Sequence, residues 1–288
     1  DMGGEISHVA VFGPGLMGAS LLMALRKKSP HTKLSVWARR KEAADEIVKR
    51  GFADAACTDA AEAATSADTI VLCVPVDRME DVARSIAPHI GADTLVTDVG
   101  STKQTIAAEL EGIFSEDRNF IGSHPMCGSE ESGMGAARTD LYEGALCVVC
   151  PTDFSRPDLL EKVESLWKTV GGRVAQLSPA DHDKAAAATS HAPHIAAAAL
   201  VALVADEPEA FRALCASGFR DTTRVASGSP ELWSAILAAN AGETAAALQR
   251  LEKILANYRQ AIASGSRDKV AGMLQDAVAQ RAKIFPKN

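Results

Sequence analysis

A strand-like run, Val9–Phe12, leads into Gly13-Pro14-Gly15-Leu16-Met17-Gly18 and then into a helix-forming stretch. This is G-x-G-x-x-G where a strand turns into a helix. In that setting the first glycine permits a tight turn, the second lets backbone approach a pyrophosphate, and the third lets helix and strand pack closely. The helix N-terminus adds free N–H groups and the positive end of its dipole, which suit an anion. Leu16 and Met17, inside the motif, and Val74-Pro75, where a later strand stops, are read as further lining of the same dinucleotide site. An acid about 20 positions on would bind the ribose hydroxyls of NAD. Ala38 stands there instead, followed by Arg39 and Arg40. With no carboxylate to repel a 2′-phosphate and two arginines to bind it, the charge logic favours NADP, and NAD stays open. The other reading of the arginines is a solvated start to the next helix.

The remaining chemistry is carried by scattered side chains. His124 follows the strand-like run Asn119–Ser123, at the carboxyl edge where open α/β sheets bind ligands. An imidazole with an ordinary pKa near 6.5 is a natural proton acceptor at neutral pH. Ser101 follows the strand ending at Val99 on the same edge, where a hydroxyl can also cap the next helix. Asp98, at that strand's end, is given no role. Glu130 stands before an expected helix, Glu131–Arg138, where an acid also suits the first turn. His191 and His194 are three apart on an expected helix and share a face. A metal pair there lacks a third ligand at suitable spacing, and helix packing is the plainer reading. Cys147 and Cys150 form a C-x-x-C inside a strand, where positions three apart point to opposite faces, so they are read as small buried hydrophobes.

These residues need elements to position them. Strands are expected at His8–Phe12, Lys33–Ala38, Thr69–Val74, Thr94–Val99, Asn119–Ser123, Ala145–Cys150 and Arg173–Leu177. Helices are expected between them at Leu16–Lys28, Lys41–Arg50, Asp77–Ala87, Thr102–Phe114 and Arg156–Val170. This alternation predicts an α/β Rossmann-type domain with a mostly parallel sheet covered on both faces. After Ser178-Pro179 only helical patterns follow: Ala180–Ala205, Pro208–Cys215, Pro230–Ala263 and Asp268–Ile284. The expected division is a dinucleotide-binding domain over 1–179 and an all-helical substrate and dimerisation domain over 180–288. Long apolar helices of this kind often bury surface against a second copy.

The 288 residues carry a net charge of −7, which argues against nucleic acid or an anionic membrane as partner. The longest apolar stretch, Ile195–Ala205, is shorter than the roughly 20 residues that span a bilayer. The polar Asp1–His8 does not read as a signal peptide, and the six cysteines suit a reducing compartment, so a cytoplasmic location is expected.

Three further segments sharpen the reading: Thr97–Lys103 (TDVGSTK), Gly122–Glu130 (GSHPMCGSE), and Ser190–His194 (SHAPH) followed by Gly218–Arg224 (GFRDTTR). With Gly13–Gly18 this set resembles the prephenate/arogenate dehydrogenases, in the family's order, from Val9 to about Trp233. The resemblance implies a homodimer through the helical domain. It also implies oxidation of the ring carbinol of prephenate or arogenate by NAD(P)⁺, with loss of the ring carboxylate as CO2, on the route to tyrosine. It makes His124 the catalytic base and Ser101 its partner on the substrate hydroxyl. Arg224 would hold a substrate carboxylate, His194 the side-chain end, and His191 the pocket. Glu130 would contact the substrate side chain or hold a nearby group, and Trp233 would stand near the pocket, reaching it across the dimer or sitting in the core. Two rival readings remain. One is a dehydrogenase of a 3-hydroxy acid, with Lys184 as its catalytic lysine. The other is a non-catalytic dinucleotide-binding module.

Overall fold

The computed structural model describes residues 6–128 and 131–286. By internal packing the chain divides into residues 1–241 and 242–288.

The first unit opens with β1 (His8–Phe12), α1 (Leu16–Lys28), β2 (Lys33–Trp37), α2 (Lys41–Lys49), β3 (Ala55–Cys57), α3 (Ala60–Thr65), β4 (Thr69–Leu72), α4 (Met79–Ile86), β5 (Leu95–Asp98) and α5 (Gln104–Ile113). The five strands form a parallel sheet in the order β3-β2-β1-β4-β5. Phe12 lies opposite both Trp37 and Leu72, and Leu72 lies opposite Asp98, so four strands end on one rim. The strand order reverses beside β1, and open sheets of this kind take ligands at the carboxyl rim of that switch point. Neither β3 nor α3 is foreseen from the sequence, because three-residue β3 and alanine-rich α3 carry almost no periodic signal.

Every residue of β1 is buried, as a central parallel strand requires. Its side chains alternate between two cores. Val9 and Val11 join α1, Ile47, Tyr142 and Trp167 on one face. Ala10 and Phe12 join Ile70, Leu72, Ile86, Leu110 and Phe114 on the other.

β6 (Gly122–Pro125), β7 (Leu146–Cys150), α6 (Pro157–Thr169) and β8 (Arg173–Gln176) follow. These strands form a separate three-stranded sheet, with β6 antiparallel to β7 and β7 parallel to β8. The expected strand at Asn119–Ser123 is therefore displaced. Its first part makes a parallel bridge from Phe120 to Val96, and the chain then leaves β5 to become β6. His124 thus lies inside β6 rather than just beyond a strand. The expected helix Glu131–Arg138 is reduced to a single tight turn at Met134–Ala136.

The helical part of this unit comprises α7 (Pro179–Ala186), a wide π-type turn (Ala187–His191), α8 (Ala192–Ala205), α9 (Glu209–Arg212), α10 (Ser217–Thr223), a 3₁₀ turn (Arg224–Ser227) and α11 (Pro230–Ala239). α7 is fastened to the sheet region through the Asp183 carboxylate, which accepts from the backbone N–H groups of Lys103 and Gln104. The expected single helix Pro230–Ala263 is interrupted at Asn240, which ends α11. α12 (Ala241–Ala263) and α13 (Arg267–Ile284) form the second unit.

The continuous helical run Pro179–Ala205 is 27 residues long and, by length and composition only, could cross a membrane. That corrects the expectation of an apolar stretch too short to do so. The run also carries His182, Asp183, His191 and His194, all buried within the protein.

Candidate active site

The glycine-rich turn is fixed by backbone contacts. Gly13 has φ +112°, and a Cβ there would lie 2.5 Å from the Cys73 carbonyl oxygen. A Cβ on Gly18 would lie 2.0 Å from the Gly13 carbonyl oxygen, so α1 can approach β1 only with glycine at that point. Around Gly15 the space is open. α1 begins there with no side-chain cap and no acid in its first turn, so its leading N–H groups are available to an anion. Leu16 and Met17 are half-buried beside the turn, and Val74 stands against Gly13. Pro75 is exposed at the end of the β4 segment. At the end of β2, Ala38 is buried while Arg39 and Arg40 are exposed. The turn, the open approach at Gly15 and the uncapped helix fit a dinucleotide pyrophosphate.

On the same rim, β5 ends in Asp98, whose carboxylate is sealed from solvent. It accepts from the backbone N–H of Gly100 at 2.8 Å and of Ser123 at 3.0 Å, and it pairs with the buried Lys103 ammonium. Ser123 is held further by the Asp98 carbonyl at 2.7 Å and by the Trp167 indole N–H at 3.0 Å. These bonds fix the backbone immediately before His124. A buried ion pair of this kind needs further hydrogen bonds to its carboxylate, and the Gly100 and Ser123 N–H groups supply them.

The His124 imidazole is buried, with Nδ1 2.8 Å from Nε2 of His182. His182 Nδ1 lies 2.8 Å from the Asp183 carboxylate. That carboxylate also accepts from the backbone N–H groups of Lys103 at 2.7 Å and Gln104 at 2.9 Å, and so caps α5. Ser101 is thus not the cap of that helix. Nor does its hydroxyl hydrogen-bond His124: the partner of the imidazole is another histidine.

Nine residues separate His182 from His191. In a regular helix, at about 100° per residue, that leaves them half a turn out of phase. The wide turn Ala187–His191 takes up one extra residue and brings the offset to about 80°. His191 is fully buried, and its Nδ1 lies 3.2 Å from the Asn240 side-chain amide, which also donates to the Asp183 carbonyl at 2.8 Å. His194, one turn on in α8, stacks on Trp233 with ring centroids 3.6 Å apart. The tryptophan therefore meets its own chain's histidine. His194 Nδ1 is buried and has no hydrogen-bond partner among the described residues. Arg224 opens the 3₁₀ turn that packs on α8, and its side chain is exposed. Glu130 lies outside the described residues.

Burial, and then the charges that His182, Lys103 and His191 can carry, push the His124 pKa well below the usual histidine value of 6.5. Burial also lowers His191, against the pull of Asp183, and lowers His194. Burial alone would raise Asp183, but its hydrogen bonds from His182 and the two backbone N–H groups outweigh that and hold it below the ordinary carboxylate range. Burial thus favours the uncharged form of His124, the form a general base needs, and the His182–Asp183 pair stands behind it. Sequence reasoning missed His182, Asp183, Lys103 and Asn240. The only available signal was an adjacent His-Asp pair in the first turns of a helix that had to face the sheet.

Similarity to known proteins extends over nearly the whole chain. The family model for the prephenate dehydrogenase nucleotide-binding domain matches residues 21–176, and that for the prephenate dehydrogenase dimerization domain matches residues 178–276. The chain is 30% identical to the cyclohexadienyl dehydrogenase of Zymomonas mobilis over 91% of its length and 90% of that protein's. The crystal structure of Aquifex aeolicus prephenate dehydrogenase with hydroxyphenyl propionate and NAD⁺ is similar at a TM-score of 0.92 and 29% identity, covering 97% of this chain and 99% of that one. Synechocystis arogenate dehydrogenase is similar at a TM-score of 0.83 and 31% identity, covering 96% of this chain and 100% of that one. The chain belongs to the prephenate dehydrogenase family.

Proposed function

We propose that this protein oxidises the ring carbinol of prephenate or arogenate with NAD(P)⁺, the ring carboxylate leaving as CO2 and the ring becoming aromatic. The observation that carries this is His124, a buried and neutral imidazole held on the rim where the glycine-rich turn also opens. His124 takes the hydroxyl proton: the O–H bond breaks, and its electron pair forms the carbonyl as hydride leaves the same carbon. A bound nicotinamide supplies the hydride acceptor. The C–C bond to the ring carboxylate then breaks with loss of CO2, its electrons pass through the ring to the carbonyl oxygen, and the resulting phenolate takes back the proton held by His124 to give a phenol.

Arg224 holds a substrate carboxylate, for which a guanidinium fork is suited. The stacked His194 and Trp233 line the side-chain end, where the buried His194 Nδ1 has no hydrogen-bond partner among the described residues, and His191 backs the pocket. Ser101 contacts the substrate hydroxyl, and Glu130 the substrate side chain. Arg39 and Arg40, exposed and with no acid at Ala38, favour NADP over NAD. Residues 1–179 bind the dinucleotide, and residues 180–288 supply substrate contacts and a homodimer interface. Exposed apolar side chains support such an interface, including Leu200, Val201 and Leu203 on α8 and, in the second unit, Leu274 and Val278 on α13. The six free cysteines suit a reducing cytoplasm.

The test is kcat and KM for prephenate and arogenate with each cofactor, in wild type and in Arg224→Ala. Wild type turns over at least one of the two substrates. Arg224→Ala raises KM by roughly 10- to 100-fold, as loss of a charged hydrogen bond does, with a smaller change in kcat. Absence of turnover with both substrates and both cofactors would overturn the reading.

A further inference from the structure

We infer that His182 and Asp183 form a positioning relay that decides which nitrogen of His124 is free to take the substrate's proton. This rests on the reading of His124 as the base.

The hydrogen-bond directions follow from one end of the chain. The Asp183 carboxylate is ionised and can only accept, and two backbone N–H groups and the His182 Nδ1 atom converge on it. His182 Nδ1 must therefore be a donor. A neutral ring with hydrogen on Nδ1 has its lone pair on Nε2, which lies 2.8 Å from His124 Nδ1. His124 then donates from Nδ1, and its own lone pair is left on Nε2. An unrestrained imidazole in water prefers hydrogen on Nε2, the wrong form for a base acting through that atom. The relay thus overrides the default. When Nε2 accepts the hydroxyl proton, the new positive charge sits on a ring whose Nδ1–H already points along a chain that ends in a carboxylate. No proton need move along the relay.

Helix capping alone does not account for this arrangement. Capping α5 uses the Asp183 carboxylate and two backbone N–H groups, and it needs nothing from His182. Both relay residues are almost fully buried, 2% and 1% exposed, and their hydrogen-bonded path to the rim runs through His124. Among the described residues, the ionisable groups facing the cluster include Lys103 and Asp98 ahead of α5, Cys150 of β7 and His191 from the wide turn; Asn240 faces it as a neutral amide.

The test uses the full-length enzyme with its substrate and cofactor, and ¹⁵N-histidine NMR with His124 assigned by its loss in His124→Asn. In wild type the His124 hydrogen is expected on Nδ1. His182→Leu moves it to Nε2 and lowers kcat by about 100-fold or more, the scale of general-base catalysis, while KM changes little. His182→Gln places an amide oxygen near the lost Nε2 and restores most of kcat. Asp183→Asn keeps a capping oxygen but can donate to His182 and reverse the chain; the comparable inversion in a Ser-His-Asp triad costs about 10⁴-fold in kcat. If His182→Leu does not fold, Asp183→Asn decides by the same two readouts. Near-wild-type kcat in His182→Leu or Asp183→Asn, or hydrogen on Nε2 of His124 in wild type, would overturn the relay. Full turnover in His124→Asn would instead remove the base assignment beneath it.

Discussion

The glycine-rich turn and the histidine cluster lie on the same sheet edge but are specified in different ways. The turn is compact: its glycines fall within six residues, and Gly13 and Gly18 are forced by backbone contacts with each other and with Cys73 just past β4. The cluster is assembled from β6, the loop before α5, α7, the wide turn and the end of α11, and each member is fixed by a side-chain bond to another element. A turn of this kind needs only β1, α1 and the end of β4 in place. A distributed side-chain site requires the whole fold to be in register first.

The largest expected effect falls on the distributed site. Lys103→Met strips the cation from Asp98 and leaves a buried carboxylate, which should cost about 3–5 kcal/mol of stability in denaturant unfolding. Loss below about 1 kcal/mol would show that the Asp98 pair does not brace the cluster. Gly18→Ala tests the local site. A Cβ 2.0 Å from the Gly13 carbonyl should raise the dissociation constant for NAD and NADP together by roughly 100-fold, the upper range of overpacking costs. Equal affinity in the variant would show that the turn has room to spare.

Acid should act on the cluster and spare the turn, which holds no titratable side chain. The His124 pKa is lowered in the fold, so the unfolded chain binds the proton more readily. Its contribution to stability is complete above about pH 6.5 and is lost as pH falls toward the folded value, by about 1.4 kcal/mol per pH unit. Thermal unfolding from pH 7.5 to 5 should show this fall, and His124→Phe should make it shallower, leaving the part due to His191 and His194. The smallest effect concerns cofactor choice. Replacing Arg39 and Arg40 together by alanine should weaken NADP about fivefold more than NAD, near 1 kcal/mol; equal weakening would mean the arginines are only solvated.

The same contrast explains what could be read from the sequence. The strand–turn–helix of β1 and α1 is legible to its ends, because β-branched runs, glycines and Ser29-Pro30 punctuate it. His124, Arg224 and the SHAPH segment stand out through resemblance. His182 and Asp183 do not, because adjacent helix positions point in different directions and nothing local says that α7 faces β6. The wide turn that brings His191 into phase is likewise set by packing rather than by a residue with a distinctive propensity. Asn240 reads as an ordinary position in a long helix until its amide is found bridging Asp183 and His191.

The account stands on His124 as the group that removes the hydroxyl proton. Its most direct test is saturating turnover of His124→Asn alongside substrate affinity. The expected result is a fall in kcat of about 10³-fold or more with KM nearly unchanged. A variant that kept wild-type kcat would contradict it.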